Sequence, residues 1–226
     1  MNIGNQGLRL LPARALLKTG EVDHADWNHR PLLGAISRIR YRLALSLLPD
    51  GRVPRLLEVG YGSGVFMPEL ARRSDELYGI DIHEMPREVA GRLSEFGVEA
   101  RLSTASASAM PFEDNFFDCL VAVSALEFVS DLDAACAEVG RVLKPEGILI
   151  VVTPGRSPVV DLGLKILTGE SAKKDYDNRR ESLLPTLGRH FQIQKQLTSP
   201  AVGGFVLRLY TALKLQSRAK AEPWRA

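Results

Sequence analysis

The run LLEVGYGSG places Glu58, Gly60, Tyr61, Gly62 and Gly64 directly after a short apolar segment and just ahead of a helical one. Glycines spaced by two suit a chain that turns sharply while a ligand comes close to its backbone. A helix start behind such a turn offers unpaired N–H groups and the positive end of a dipole to an anionic group. A GxGxxG dinucleotide fingerprint would need its third glycine where Val65 stands, so the pattern here is GxGxG. About twenty residues on, Asp81 closes a second apolar run, ELYGIDI. Alone, an acidic residue at a strand end reads as a loop cap or a solvated charge. Behind a glycine turn it reads as an acceptor for ribose hydroxyls.

A third cluster, SASAMPFEDNFFDCLVAVSALEFV, begins at Ser106, and LEFVSD at 126–131 and VLKPEGILIV at 142–151 follow it. Together, in this order and spacing, the ExGxGxG run, the acidic end of the second strand and MPFEDNFFD at 110–118 resemble the class I S-adenosylmethionine (SAM)-dependent methyltransferases. The resemblance covers roughly residues 50–155 and is nearest the group containing quinone-biosynthesis and other small-molecule methyltransferases. It implies SAM as cofactor and S-adenosylhomocysteine (SAH) as product. By that resemblance Glu58, Gly60, Tyr61, Gly62 and Gly64 hold the methionine portion and ribose of SAM. Asp81 grips the ribose hydroxyls, Ile82 and His83 flank the adenine, and Ser106 and Ala107 meet its edge. Ser124 lies beside the transferred methyl. The family often has Asp at the position of Ser106 and commonly has His where Phe128 stands.

The elements that must position these residues alternate. Apolar runs at 55–60, 76–82, about 98–103, 116–125 and 147–153 read as strands. Segments 65–73, 84–97 and 132–145 read as helices, with Pro68 confined to a first turn and Gly97 closing the second helix. Buried strands without polar alternation, separated by helices, imply a parallel sheet covered on both faces. The expected fold is α/β, a doubly wound, mostly parallel seven-stranded sheet. It carries an N-terminal helical extension and an insertion before the last strands. One domain is expected over 1–226: a helical cap at 1–50, the SAM-binding core at 51–155, and substrate-side helices with C-terminal strands at 156–226. Within the last part, VVDLGLKIL reads as a helix, a further short helix follows, and HFQIQKQL and GGFVLRLYTAL read as an antiparallel hairpin on the sheet edge.

In the cap, Leu32, Ile36, Ile39, Leu43 and Leu47 recur at helical spacing with Arg38, Arg40 and Arg42 between them. Such a stripe covers the sheet, lines a pocket for a greasy acceptor, or rests on a membrane with its arginines toward head groups. Covering the sheet is the plainest of the three. Trp27 reads as a lid or packing residue.

The bulk properties exclude several classes. With 226 residues, 45% hydrophobic and 25% charged, the chain is an ordinary globular one. A net charge of +2 without a basic and aromatic stripe gives no nucleic-acid footprint. No apolar run approaches a membrane span, and no leader pattern opens the chain, so a cytoplasmic location is expected. Cys119 and Cys136 read as small core residues, and the four histidines show no metal-ligand spacing, so no metal is expected.

Methyl transfer from a sulfonium needs alignment more than acid–base help, and a general base serves only an acceptor that must lose a proton. Glu127, His83, His24, His29 and Tyr176 are candidates, none in an identifying spacing, so no catalytic residue is assigned. The partner is then a small, apolar or lipid-like methyl acceptor, with peripheral membrane contact compatible and the oligomeric state open. A SAM-fold binding protein without turnover and a dinucleotide-dependent oxidoreductase are the alternatives; the latter calls for the GxGxxG loop that is missing.

Overall fold

Alternate residues of each central strand feed two separate cores. In the computed structural model, which describes residues 7–20, 23–155, 179–200 and 208–217, Leu56, Cys119, Val121, Ile150 and Val152 face one core. Leu57, Val59, Leu120, Ala122, Leu149 and Val151 face the other. A strand buried on both faces has no polar side, which is why these segments read as continuous apolar runs. Each fully buried Leu or Phe stabilises the fold by about 1.5–3 kcal/mol.

The strands are β1 (Val53–Val59), β2 (Ser74–Asp81), β3 (Arg101–Thr104), β4 (Phe117–Val123), β5 (Leu143–Pro154), β6 (Phe191–Ser199) and β7 (Tyr210–Ser217). They form one seven-stranded sheet in the order β3-β2-β1-β4-β5-β7-β6. β1 to β5 are parallel, while β7 runs antiparallel to both β5 and β6. The expected doubly wound sheet and its C-terminal hairpin are therefore present, with β6 at the edge.

The helices α1 (Pro31–Leu45), α2 (Met67–Ala71) and α3 (Pro86–Glu95) cover the first core. α4 (Leu132–Val142) and α5 (Arg179–His190) cover the second through Cys136, Val139, Leu183 and Leu187. Pro31, Pro68 and Pro86 each occupy a first helical turn, where the missing N–H is not needed. Asp131 caps α4 by accepting the Ala134 N–H at 2.9 Å. Cys119 and Cys136 are buried and unbonded to one another, as expected of core residues.

Several boundaries differ from expectation. The helix placed at 65–73 contracts to Met67–Ala71, because the glycine turn runs on to Phe66. The helix placed at 132–145 stops at Val142, and β5 already pairs with β4 at Leu143. β3 begins at Arg101 rather than near 98, and the last described strand is Tyr210–Ser217, the expected residues 203–207 lying outside the described residues. The VVDLGLKIL helix lies outside the described residues. Among the described residues no helix is long and apolar enough to cross a membrane.

The MPFEDNFFD loop is held from beneath by one side chain. Arg141 of α4 donates to the carbonyls of Met110 and Phe112 at 3.1 and 2.7 Å and pairs with Glu138 and Asp114 at 2.7 and 2.8 Å. Glu138 in turn accepts the Met110 N–H at 2.8 Å. A bidentate guanidinium fixes both the position and the plane of its partners.

Candidate functional site

Strand order reverses between β1 and β4, so the loops leaving these strands diverge to opposite faces and leave a crevice at their carboxyl ends. A cavity of about 520 Å³ opens there. Of the residues predicted from sequence, Glu58, Gly60, Tyr61, Gly62, Asp81, Ile82, His83, Ser106, Ala107 and Ser124 all line it. Gly64 does not. A side chain at Gly64 would press on Val89 and Leu93 of α3 at 3.2 and 3.3 Å, so this glycine lets α3 seat behind the turn.

The other two glycines serve the cavity itself. A Cβ on Gly60 would sit 2.5 Å from that of Ala125, so the turn after β1 and the loop after β4 touch there. Gly62 has φ +52 and points its N–H at Asp81 Oδ2, 2.8 Å away. The second Asp81 oxygen accepts from the N–H groups of Ile82 and His83 at 2.7 and 3.4 Å. An ionised carboxylate has about four acceptor positions, so capacity for ligand hydroxyls remains. Ile82 is 79% exposed at the cavity rim, an apolar side chain with no protein surface over it.

Buried polar atoms gather along the floor. Glu58 is 4% exposed, and its Oε2 has no hydrogen-bond partner. Burial, with Asp81 nearby, pushes its carboxyl well above the usual range, while Arg40 opposes the shift. Tyr61 Oη and Ser124 Oγ are likewise buried without partners. Burial also raises the Tyr61 phenol, with Asp81 and Glu88 adding to it. Ser124 lies one residue past the strand that was expected to reach Ala125. It adopts φ +54, a conformation rare for a residue with a Cβ, and donates its N–H to Val152 O at 2.7 Å. Ser106 Oγ bonds Ser108 Oγ at 2.8 Å, which turns it along the rim.

The N-terminal helix supplies what sequence reasoning missed. Leu33, Ile36, Ser37, Arg40 and Tyr41 of α1 line the cavity, and Tyr41, with Ala44, also enters the core. The buried face differs from the expected stripe: Leu32 is 73% exposed, Ile36 alone of the stripe lines the cavity, and Leu43 and Leu47 pack on the core, while Arg40 lines the cavity. Its guanidinium lies over the Tyr41 ring, 4.8 Å from the centroid, and donates to Tyr41 Oη at 3.1 Å. It is the only Lys or Arg among the described lining residues, which include Asp23, Glu58 and Asp81. The available signal was spacing: Arg40 lies three and four residues from Ser37 and Ile36, hence on their face.

Trp27 and His24 stack with centroids 4.3 Å apart and form another wall, with Phe128, Val129 and Leu209 beyond them. The upstream segment docks on the glycine turn, where Leu11 N–H meets Val65 O at 3.0 Å. Among the base candidates, His24 and His83 line the cavity, His29 is exposed away from it, and Glu127 is buried but not part of the lining. Tyr176 lies outside the described residues. No group of three metal-ligating side chains occurs among the described residues.

Comparison with known proteins agrees with this geometry. Residues 57–151 match the family described as Methyltransferase domain. The chain is 31% identical to a ubiquinone biosynthesis O-methyltransferase of Mesorhizobium japonicum, over 70% of this chain and 72% of that one. It is 32% identical to the ubiquinone/menaquinone biosynthesis C-methyltransferase UbiE of Paraburkholderia phymatum over 61% of this chain, and spans only 54% of that relative. In fold it resembles the [4+2]-cyclase SpnF, with a TM-score of 0.63, 24% identity, and coverage of 84% of this chain and 83% of that one.

Proposed function

This chain belongs to the class I SAM-dependent methyltransferases, and from that premise we propose that it methylates a small apolar acceptor seated over the ends of β4, β5 and β7. One observation carries the proposal. A single cavity joins the motif residues at the ends of β1 and β2 to an apolar wall built by Trp27, Leu33, Ile36, Phe128, Val129 and Leu209.

The residues present fit the cofactor. Asp81 would accept from the ribose hydroxyls, Ile82 would cover one face of the adenine, and Ala107 its edge. Glu58, buried and short of a partner, suits the ammonium group of the methionine portion. Arg40 suits its carboxylate, as the one full cation among the described lining residues. When bound, SAM supplies a methyl group on an already activated sulfonium. The protein's part is alignment, which contributes roughly 7–11 kcal/mol in well-oriented systems. Glu58, Asp81 and Arg40 would fix the donor, the apolar wall would exclude water, and Ser124 would lie beside the transferred methyl.

The named relatives act in quinone biosynthesis, one as an O- and one as a C-methyltransferase. An acceptor of that apolar, ring-bearing type fits the wall described above. A single domain and a cytoplasmic location carry over from the sequence reading. The test is SAH release from SAM with a panel of apolar phenols and quinols. Release with at least one member is expected. SAH binding without release from any acceptor would instead favour a binding protein without turnover.

A further inference from the structure

The imidazole of His83 bridges two loops. Its Nδ1 lies 3.1 Å from the Met85 N–H, which donates to it, and its Nε2 lies 3.0 Å from the carbonyl of Gly62. An N–H aimed at Nδ1 requires that nitrogen to be bare, so the ring proton sits on Nε2 and is donated to Gly62. The neutral Nε2–H tautomer satisfies both contacts at once. The imidazolium does not, because its Nδ1–H would face the Met85 N–H. Met85 also precedes the first turn of α3, where the helix dipole opposes a positive charge.

The peptide groups on either side of Gly62 are therefore held from the end of β2 and from the loop that follows it. Its N–H goes to Asp81 and its carbonyl to His83. The carbonyl of His83 itself accepts from Thr104 Oγ1 at 2.8 Å, and its ring meets Tyr61 edge-on at 4.9 Å. These contacts anchor the ring from β3 and from the glycine turn as well.

We infer that His83 is a positioning residue whose neutral Nε2–H form sets the Gly62 turn for the cofactor, so that protonation of this ring weakens cofactor binding. This rests on the SAM reading given above. The titratable and charged groups around it are Asp81 at the end of β2, Tyr61 on the glycine turn, Asp23 beside Gly62 from the N-terminal segment, and Glu88 on α3. Glu58 lies behind the turn, close enough to Asp81 to respond to its charge. The test isolates the ring from these groups.

The experiment measures the Kd of SAH from pH 5 to 8.5 for wild type, His83→Gln and His83→Asn. Glutamine can return the donor to Gly62, and asparagine only the acceptor for Met85. For wild type, affinity should fall roughly three- to tenfold between pH 8.5 and pH 5, the loss expected for one hydrogen bond. His83→Asn should bind weakly at every pH. His83→Gln should recover most of the neutral-pH affinity and lose the acid dependence. An undiminished acid dependence in His83→Gln would assign it to a carboxyl and overturn the proposal, as would wild-type affinity in His83→Asn. Long-range ¹H–¹⁵N spectra of the ligand-free protein at pH 8 read the tautomer directly. An Nε2–H ring is expected, and an Nδ1–H ring overturns the proposal whatever SAH does. Absence of SAH binding in wild type at every pH would count against the cofactor reading alone.

Discussion

Asp81 holds Gly62 by a 2.8 Å hydrogen bond from the Gly62 N–H to its carboxylate, and this joins the end of β2 to the turn after β1. The same carboxylate that would receive the ribose also shapes the loop beneath it. Asp81→Ala removes both functions. The Kd of SAH should rise at least tenfold, about 1.4 kcal/mol, when measured by calorimetry. An unchanged Kd would sink the ribose assignment.

Arg40 gives a more selective prediction. If its guanidinium meets the carboxylate of the methionine portion, Arg40→Met should weaken SAH by about tenfold or more, in line with a lost charge-assisted bond of about 1.5–3 kcal/mol. Binding of methylthioadenosine, which has no carboxylate, should change little. Equal losses for the two ligands would show that Arg40 acts only through packing against Tyr41.

Glu58 should trade stability for binding. Its carboxyl is raised by burial, so the native state holds a proton that the unfolded state releases near pH 4.3. Relative stability from this group is present at low pH and declines as pH rises above the unfolded value. Glu58→Gln keeps the neutral form at every pH. It should therefore raise Tm at pH 8, by about 2–4 °C for each kcal/mol recovered, while weakening SAH. A lower Tm at pH 8 would contradict this account of the buried carboxyl.

Glu138 behaves in the opposite sense. Hydrogen bonds from Arg141, and then from the Met110 N–H, hold its carboxyl down to about 2. Its contribution is present above the unfolded value of about 4.3 and is lost as pH falls toward the folded one. Glu138→Gln should flatten the acid limb of the stability curve between about pH 4 and 2. The expected effect is near 1 kcal/mol, because the pair is partly exposed and screened. Denaturant unfolding at pH 7 and pH 3 measures it, and an equal loss at both would show that the charge does not matter.

The sheet was legible because strands buried on both faces leave unbroken apolar runs, as in LVAV of β4 and ILIVV of β5. The glycine turn and Asp81 were legible because their spacing is set by the geometry of a strand, a turn and a second strand. What the sequence hid lay on α1. Arg40 sits between Arg38 and Arg42, and its helical spacing from Ile36 and Ser37 sets it on their face without saying which way that face turns. Only the packing of Tyr41 and Ala44 against the sheet fixes that rotation. Gly64 belongs to the motif by spacing, and its missing side chain makes room for Val89 and Leu93, a packing role that the spacing does not show. Ser124 was placed by resemblance alone, and its positive φ has no sequence signature in a serine.

The most direct test of the central claim is thermal unfolding of the protein with SAH, SAM and NADH in turn. A ligand at 100 times its Kd adds about 2.7 kcal/mol, and each kcal/mol is worth roughly 2–4 °C for a domain of this size. SAH and SAM should each raise Tm by roughly 5–11 °C on that basis, with no change from NADH. A shift with NADH and none with SAH or SAM would contradict the claim that this cavity is a SAM site.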